Sequence, residues 1–311
     1  MKIRTAFLTV AATVTMAIAP PDSQTAAQTR VFDETVPPGI NYDKADFRLW
    51  LPTDVPTVQA VAILLTGSNG DGRPMAEETA WQDFANKNHV ALVGVRITDK
   101  PHDQNFIEEY ADVSRGSGQA LLTALSTFAV RTRHPELDSA PLLLWGMSAG
   151  GEFNYEFVAW KPERVAAFVV NKGGIYYTAL TSRQSRNVPG ILFIGGKDLQ
   201  SRINTITGLF EVNRRGGALW ALAEEPGAAH VVGESIDVAR IFFEDVLSMR
   251  VQGGVMKTLA EKDGFAGHIK GRTFQPASSA GNSNVATAWL PSERVARAWQ
   301  DMVKGEKIQG P

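Results

Sequence analysis

The chain has 311 residues, 44% hydrophobic and 21% charged, which supports a large buried core and excludes a disordered protein. Its 31 basic and 33 acidic residues are scattered and leave a net charge of -2, so neither nucleic acid nor an acidic membrane surface is an expected partner. With no cysteine there is no disulfide, thiolate metal site, cysteine nucleophile or cysteine-linked lipid, and any nucleophile must be an oxygen or an amine.

The first element is a short export signal. Lys2 and Arg4 precede the apolar run Ala6 to Ala19, and a small-residue polar stretch follows. At about 14 residues the run falls short of the roughly 20 needed to span a bilayer. Cleavage is expected after Ala19 or after Ala27, giving a periplasmic or secreted protein with no stable membrane insertion.

Seven apolar runs then read as strands: Phe47 to Leu51, Val61 to Gly67, Val90 to Ile97, Leu142 to Gly146, Ala167 to Asn171, Ile191 to Gly196 and Ala218 to Glu224. Consecutive apolar residues suit strands covered on both faces, as in a parallel sheet. Helical spacing fills the intervals at Met75 to Asn88, Gly118 to Thr132, Ile203 to Arg215 and Ser235 to Arg250. This alternation predicts an α/β protein with a mostly parallel central sheet and helices on both faces. Ligands of such sheets bind along the edge formed by the C-terminal ends of the strands. After Arg250 the pattern changes to a Gly/Ser/Asn-rich stretch and a last helix expected from Pro291, with Trp289, Leu290, Val295, Trp299 and Val303 as its buried stripe. The expected organisation is a signal peptide over 1–27, a catalytic domain over 28–250 and an extension over 251–311 packed on it.

The fourth predicted strand ends in Gly146-Met147-Ser148-Ala149-Gly150, a G-x-S-x-G sequence that leads into a helix-like segment. A serine on so sharp a strand-to-helix turn needs small residues two before and two after it, which makes Ser148 a candidate nucleophile. A hydroxyl is a poor nucleophile unless a base takes its proton and a third group fixes that base. Asp198, after the sixth run, and His230, after the seventh, supply these in the order Ser, Asp, His on one loop edge. His89, His134 and His268 lie away from that edge and read as solvated or structural, whereas His102 lies on it and is a candidate pocket residue. The backbone N–H groups of Ala149 and Ser68 are the expected oxyanion donors, with Asn69 the second choice in its loop. That loop, Thr66 to Gly72, lacks the lysine of a phosphate-binding loop and the acidic ligands of a calcium loop.

The motifs "GMSAGG", "GGKD" and "GAAH" make the span Phe47 to Arg250 resemble the α/β-hydrolase superfamily. "PERVAAFVVNKGG" and "AWLPSERVARAW" are similar to exported bacterial hydrolases related to poly(3-hydroxybutyrate) depolymerases and dienelactone-hydrolase-like esterases. Ser148 sets the chain in the serine branch, and Thr66-Gly67 stands where the superfamily often has His-Gly. The resemblance implies a serine esterase that needs no metal or organic cofactor. The interval from Asn171 to Ile191 is too short for a folded cap, so an open cleft is expected, edged by Tyr176, Tyr177 and the loop from Pro101 to Tyr110, for a small or polymeric ester. An amidase or peptidase with the same triad, and a noncatalytic binding protein on the same fold, remain open alternatives.

Overall fold

Residues along each central strand feed two separate cores, and this decides the architecture. In the computed structural model, which describes residue 1 and residues 30–104, 107–280 and 287–309, eight strands form one sheet: β1 (Val31–Val36), β2 (Lys44–Trp50), β3 (Ala60–Leu65), β4 (Val90–Thr98), β5 (Leu142–Met147), β6 (Val165–Asn171), β7 (Gly190–Gly195) and β8 (Trp220–Glu225). Their spatial order is β1-β2-β4-β3-β5-β6-β7-β8. Strands β3 to β8 pair in parallel, while β1 with β2 and β2 with β4 are antiparallel. Apart from its first residue, the expected signal peptide lies outside the described residues.

Among the described residues there are seven α-helices: α1 (Thr79–Asn88), α2 (Ser117–Thr132), α3 (Ala149–Trp160), the single turn α4 (Arg183–Arg186), α5 (Gln200–Arg215), α6 (Ser235–Arg250) and α7 (Glu293–Lys304). In β3, Val61, Ile63 and Leu65 join the core beneath α2, α3 and α5, whereas Ala60, Ala62 and Leu64 join the core beneath α1, α6 and α7. Side chains alternate along a strand, so only a strand apolar at every position can fill both. Between β6 and β7 the only helix is α4, and among the described residues no cap stands over the sheet edge. Among the described residues no helix is long and apolar enough to cross a membrane.

Two differences from the sequence expectation have a plain local cause. β1 alternates exposed and half-buried residues as an antiparallel edge, and its Asp33 pairs with Arg48 of β2 at 2.7 Å. The last helix begins at Glu293 rather than Pro291, because Ser292 acts as its cap and Oγ accepts the Val295 N–H at 3.1 Å.

Beyond α6 the chain makes a short hairpin, β9 (Val251–Gln252) with β10 (Val255–Met256), and a three-stranded sheet of β11 (Phe265–His268), β12 (Thr273–Pro276) and β13 (Ala288–Leu290). Trp299 of α7 is fully buried and donates Nε1–H to the Leu222 carbonyl of β8 at 2.8 Å. Trp289, Leu290, Val295 and Val303 are buried as well, so this segment shares a core with α6 and the sheet.

Candidate active site

The turn from β5 into α3 places Ser148 at φ 53° and ψ -124°, backbone space that non-glycine residues rarely occupy, at a cost of about 1–3 kcal/mol. Hydrogen bonds hold it there: Ser148 N–H donates to Asn171 O at 2.8 Å, and Ser148 O accepts from Gly151 N–H at 2.8 Å. The flanking glycines are required by contact. A Cβ on Gly146 would lie 2.2 Å from Gly150 O, and one on Gly150 would lie 2.6 Å from Thr66 O. No side chain can enter between strand, helix and the loop that follows β3.

Asp198 follows β7 and His230 lies in the loop between β8 and α6, so both reach the edge that carries Ser148. His230 Nε2 is 3.0 Å from Ser148 Oγ, and His230 Nδ1 is 2.8 Å from Asp198 Oδ2. An ionised carboxylate only accepts, so Nδ1 carries the proton and Nε2 is left to accept the serine O–H. Asp198 Oδ1 accepts from Leu199 N–H at 2.7 Å and from Arg202 Nη1 at 3.1 Å. Burial alone would raise the Asp198 carboxyl, but the hydrogen bonds from His230, Leu199 and Arg202 outweigh it and hold the group below the ordinary value. It is therefore a fixed anion behind the imidazole.

Gly67 lies against the serine: a Cβ there would sit 3.5 Å from Ser148 Cβ. Ala149 N–H opens α3 and has no intrahelical acceptor. Among the described residues, neither Ala149 N–H nor Ser68 N–H has a protein acceptor, whereas Asn69 N–H donates to Tyr110 Oη at 3.3 Å. That difference separates the two loop candidates and leaves Ser68 with the free donor.

A cavity of about 750 Å³ opens onto Ser148, lined by Ser68, Met147, His230, Ile175, Leu199 and Arg202 among others. Its floor carries a group that sequence reasoning missed. Glu152, four residues after Ser148 in α3, is 4% exposed, and Oε1 accepts from Gly174 N–H at 2.6 Å and Ile175 N–H at 3.0 Å. Burial pushes its carboxyl up to about 7, against the pull of those two N–H groups. The signal for Glu152 was an acid in the first turn of a helix that leads out of the G-x-S-x-G turn, and for Arg202 its i+4 spacing from Asp198.

The remaining pocket candidates lie elsewhere. Asn69 and His102 border a neighbouring hollow that shares Ser68 and Glu108 with the first, and His102 Nε2 is 3.6 Å from Asp99 Oδ2. Residues 105–106 of the expected cleft-edge loop lie outside the described residues. Neither Tyr176 nor Tyr177 lines the cavity. Glu152 and Glu156 draw the backbone N–H groups of Gly174, Ile175, Tyr177 and Thr178 down onto α3, so backbone rather than tyrosine rings faces the site. Tyr176 is turned in against Tyr155, with ring centroids 5.0 Å apart, and the Tyr177 hydroxyl donates to Glu108 O at 3.2 Å. Among the described residues no group of three or more His, Asp or Glu side chains is arranged to hold a metal ion.

No protein-family model and no curated protein sequence matches the chain. Among solved structures it is similar to a ferulic acid esterase (TM-score 0.53, 11% identity, 71% of this chain and 98% of that one). It is also similar to esterase PE8 (TM-score 0.48, 17% identity, 70% and 100%) and to a thermostable esterase (TM-score 0.46, 15% identity, 66% and 56%). The chain thus spans little more than half the length of the thermostable esterase. The strand order and the likeness to the ferulic acid esterase agree: the chain has the α/β-hydrolase fold, with a mostly parallel eight-stranded sheet.

Proposed function

We propose that the protein is an exported serine hydrolase that cleaves carboxylic esters. The observation that carries this reading is the unbroken hydrogen-bonded chain from Ser148 Oγ through His230 to Asp198, beside two backbone N–H groups with no acceptor among the described residues.

In the proposed mechanism His230 Nε2 takes the Ser148 proton as Oγ adds to the ester carbonyl carbon. The carbonyl oxygen gains the negative charge and is met by the N–H groups of Ser68 and Ala149; one such donor is worth about 3 kcal/mol in the transition state. The C–O bond to the alcohol then breaks, and His230 returns the proton to the leaving alkoxide. Water, deprotonated by His230, attacks the acyl-enzyme, and collapse of the second tetrahedral species releases the acid and restores Ser148. Asp198 remains ionised throughout and stabilises the imidazolium.

The cavity volume fits a small or medium-sized ester bound beside Ser148, with longer chains leaving through the uncapped edge. The decisive test is Ser148→Ala, which should abolish both hydrolysis of a short p-nitrophenyl ester and labelling by a fluorophosphonate. Retained turnover would overturn the reading. Export rests on the Lys2, Arg4 and Ala6–Ala19 pattern and is tested by N-terminal sequencing of the protein recovered outside the cytoplasm.

A further inference from the structure

A charged side chain with no part in the proposed chemistry sits beneath all three loops of the site. Lys172, the residue after β6, is 0% exposed and holds φ 55°, with its N–H donated to Phe193 O of β7 at 3.0 Å. Its Nζ donates to Asn171 Oδ1 at 3.0 Å and to Glu225 Oε2 at 2.9 Å. A buried ammonium is costly unless paired, and this one is spent entirely inside the protein.

Each partner leads to a member of the Ser148–His230–Asp198 chain. Asn171 O accepts the Ser148 N–H at 2.8 Å, and Asn171 Nδ2 donates to Val232 O at 3.0 Å. Glu225 Oε1 accepts the Glu234 N–H at 2.9 Å. The loop carrying His230 is therefore fastened at its first stem through Glu225 and at its second through Val232 and Glu234. The Lys172 stem also lies under the acid loop: a Cβ on Gly195 would meet Lys172 Cε at 3.1 Å, and Ala228 O and Ala229 O at 2.6 and 2.7 Å. The backbones of the acid and histidine loops thus touch directly above the buried ammonium.

We propose that Lys172 is a positioning residue that sets the reach of His230 to Ser148, acting through Asn171 and Glu225 without touching substrate. The inference rests on the serine-hydrolase reading above. A small displacement at the reacting atoms costs far more in turnover than in binding, so the ion pair should be felt in kcat.

The test compares wild type, Lys172→Met, Glu225→Gln and the double variant with a short p-nitrophenyl ester, kcat being expressed per site labelled by a fluorophosphonate. Lys172→Met should lower kcat by about tenfold to a hundredfold and slow labelling in proportion, with KM within about threefold. The double variant should be no worse than Lys172→Met, because both substitutions break the same Lys172–Glu225 pair. A purely structural role would lower yield and melting temperature but leave kcat per site at the wild-type value, and that result overturns the proposal, as do additive losses in the double variant. If Lys172→Met does not fold, the milder Glu225→Gln decides: a fall in kcat of about three- to tenfold at constant KM supports the proposal, and unchanged kcat overturns it. Wild-type protein that neither hydrolyses the ester nor labels would instead overturn the serine-hydrolase reading, and this inference with it.

Discussion

Arg202 Nη1 lies 3.1 Å from Asp198 Oδ1, the carboxylate oxygen that His230 leaves free. Arg202 and His230 thus hold the two oxygens of one carboxylate, and the first turn of α5 braces the acid behind the imidazole. This brace has a pH signature. Asp198 is held below the ordinary carboxyl value, so it contributes stability above its unfolded value and loses it as pH falls through the folded one. Arg202→Met removes one of the lowering hydrogen bonds. The acid limb of its thermal-stability profile should therefore move to higher pH than in wild type, as read by melting curves from about pH 6 to about pH 3. Coincident limbs would show that Arg202 does not hold the acid.

Glu152 should give the opposite slope. Burial raises it from 4.5 to about 7, so the folded chain binds a proton that the unfolded chain has released. Stability from this group is full below about pH 4.5, falls as pH rises toward 7 and is flat above. Glu152→Gln keeps an oxygen for the Gly174 and Ile175 N–H groups but cannot ionise. Its melting temperature relative to wild type should be higher at about pH 8 than at about pH 5. An equal difference at the two pH values would contradict a buried, titrating carboxyl.

Two glycines beside Ser148, Gly146 and Gly67, should respond differently to a methyl group. Gly146→Ala would place Cβ 2.2 Å from Gly150 O, a backbone atom that cannot yield without parting β5 from α3. A loss of about 3 kcal/mol or more, or no soluble protein, is expected from urea unfolding. Gly67→Ala would meet Ser148 Cβ at 3.5 Å, an ordinary contact. That variant should fold within about 1 kcal/mol of wild type and show its effect in turnover instead.

Trp299 joins the tail to the sheet. Trp299→Ala should cost about 3–5 kcal/mol, combining lost burial with an unpaired Leu222 carbonyl, and Trp299→Phe less, about 1–3 kcal/mol, from the unpaired carbonyl and the smaller ring. Chemical denaturation measures both. A Trp299→Ala protein as stable as wild type would mean that the segment after α6 adds nothing to the core.

The sequence reading reached furthest where local sterics leave few choices. Gly146 and Gly150 announce the sharp turn at Ser148, and the apolar runs before Asp198 and His230 place those residues on the same sheet edge. Strand β1 escaped notice because an exposed edge carrying Asp33 and Glu34 looks like a polar loop until its partner β2 is known. The small sheet β11–β13 was hidden by its turn-forming neighbours. The roles of Glu152, Arg202 and Lys172 were hard to read for a different reason: each is buried or braced by partners distant in sequence or on another turn, such as Gly174, Asp198 and Glu225. Tyr176 and Tyr177 were misplaced because the pull of Glu152 and Glu156 on their backbone decides which way they face.

The indole of Trp299 also closes an exit from the fold. β8 is the last strand of the sheet, and a bare outer strand is a template on which another chain can build. With the Leu222 carbonyl taken by Trp299 and α7 laid beside it, a foreign strand could add there only by prising the tail away. The far edge, β1, is guarded by charge instead, with Asp33 and Glu34 paired to Arg48 and Arg131. The sheet is thus finished at one end by a hydrophobic plug and at the other by salt, and loss of the plug would leave β8 as an open edge.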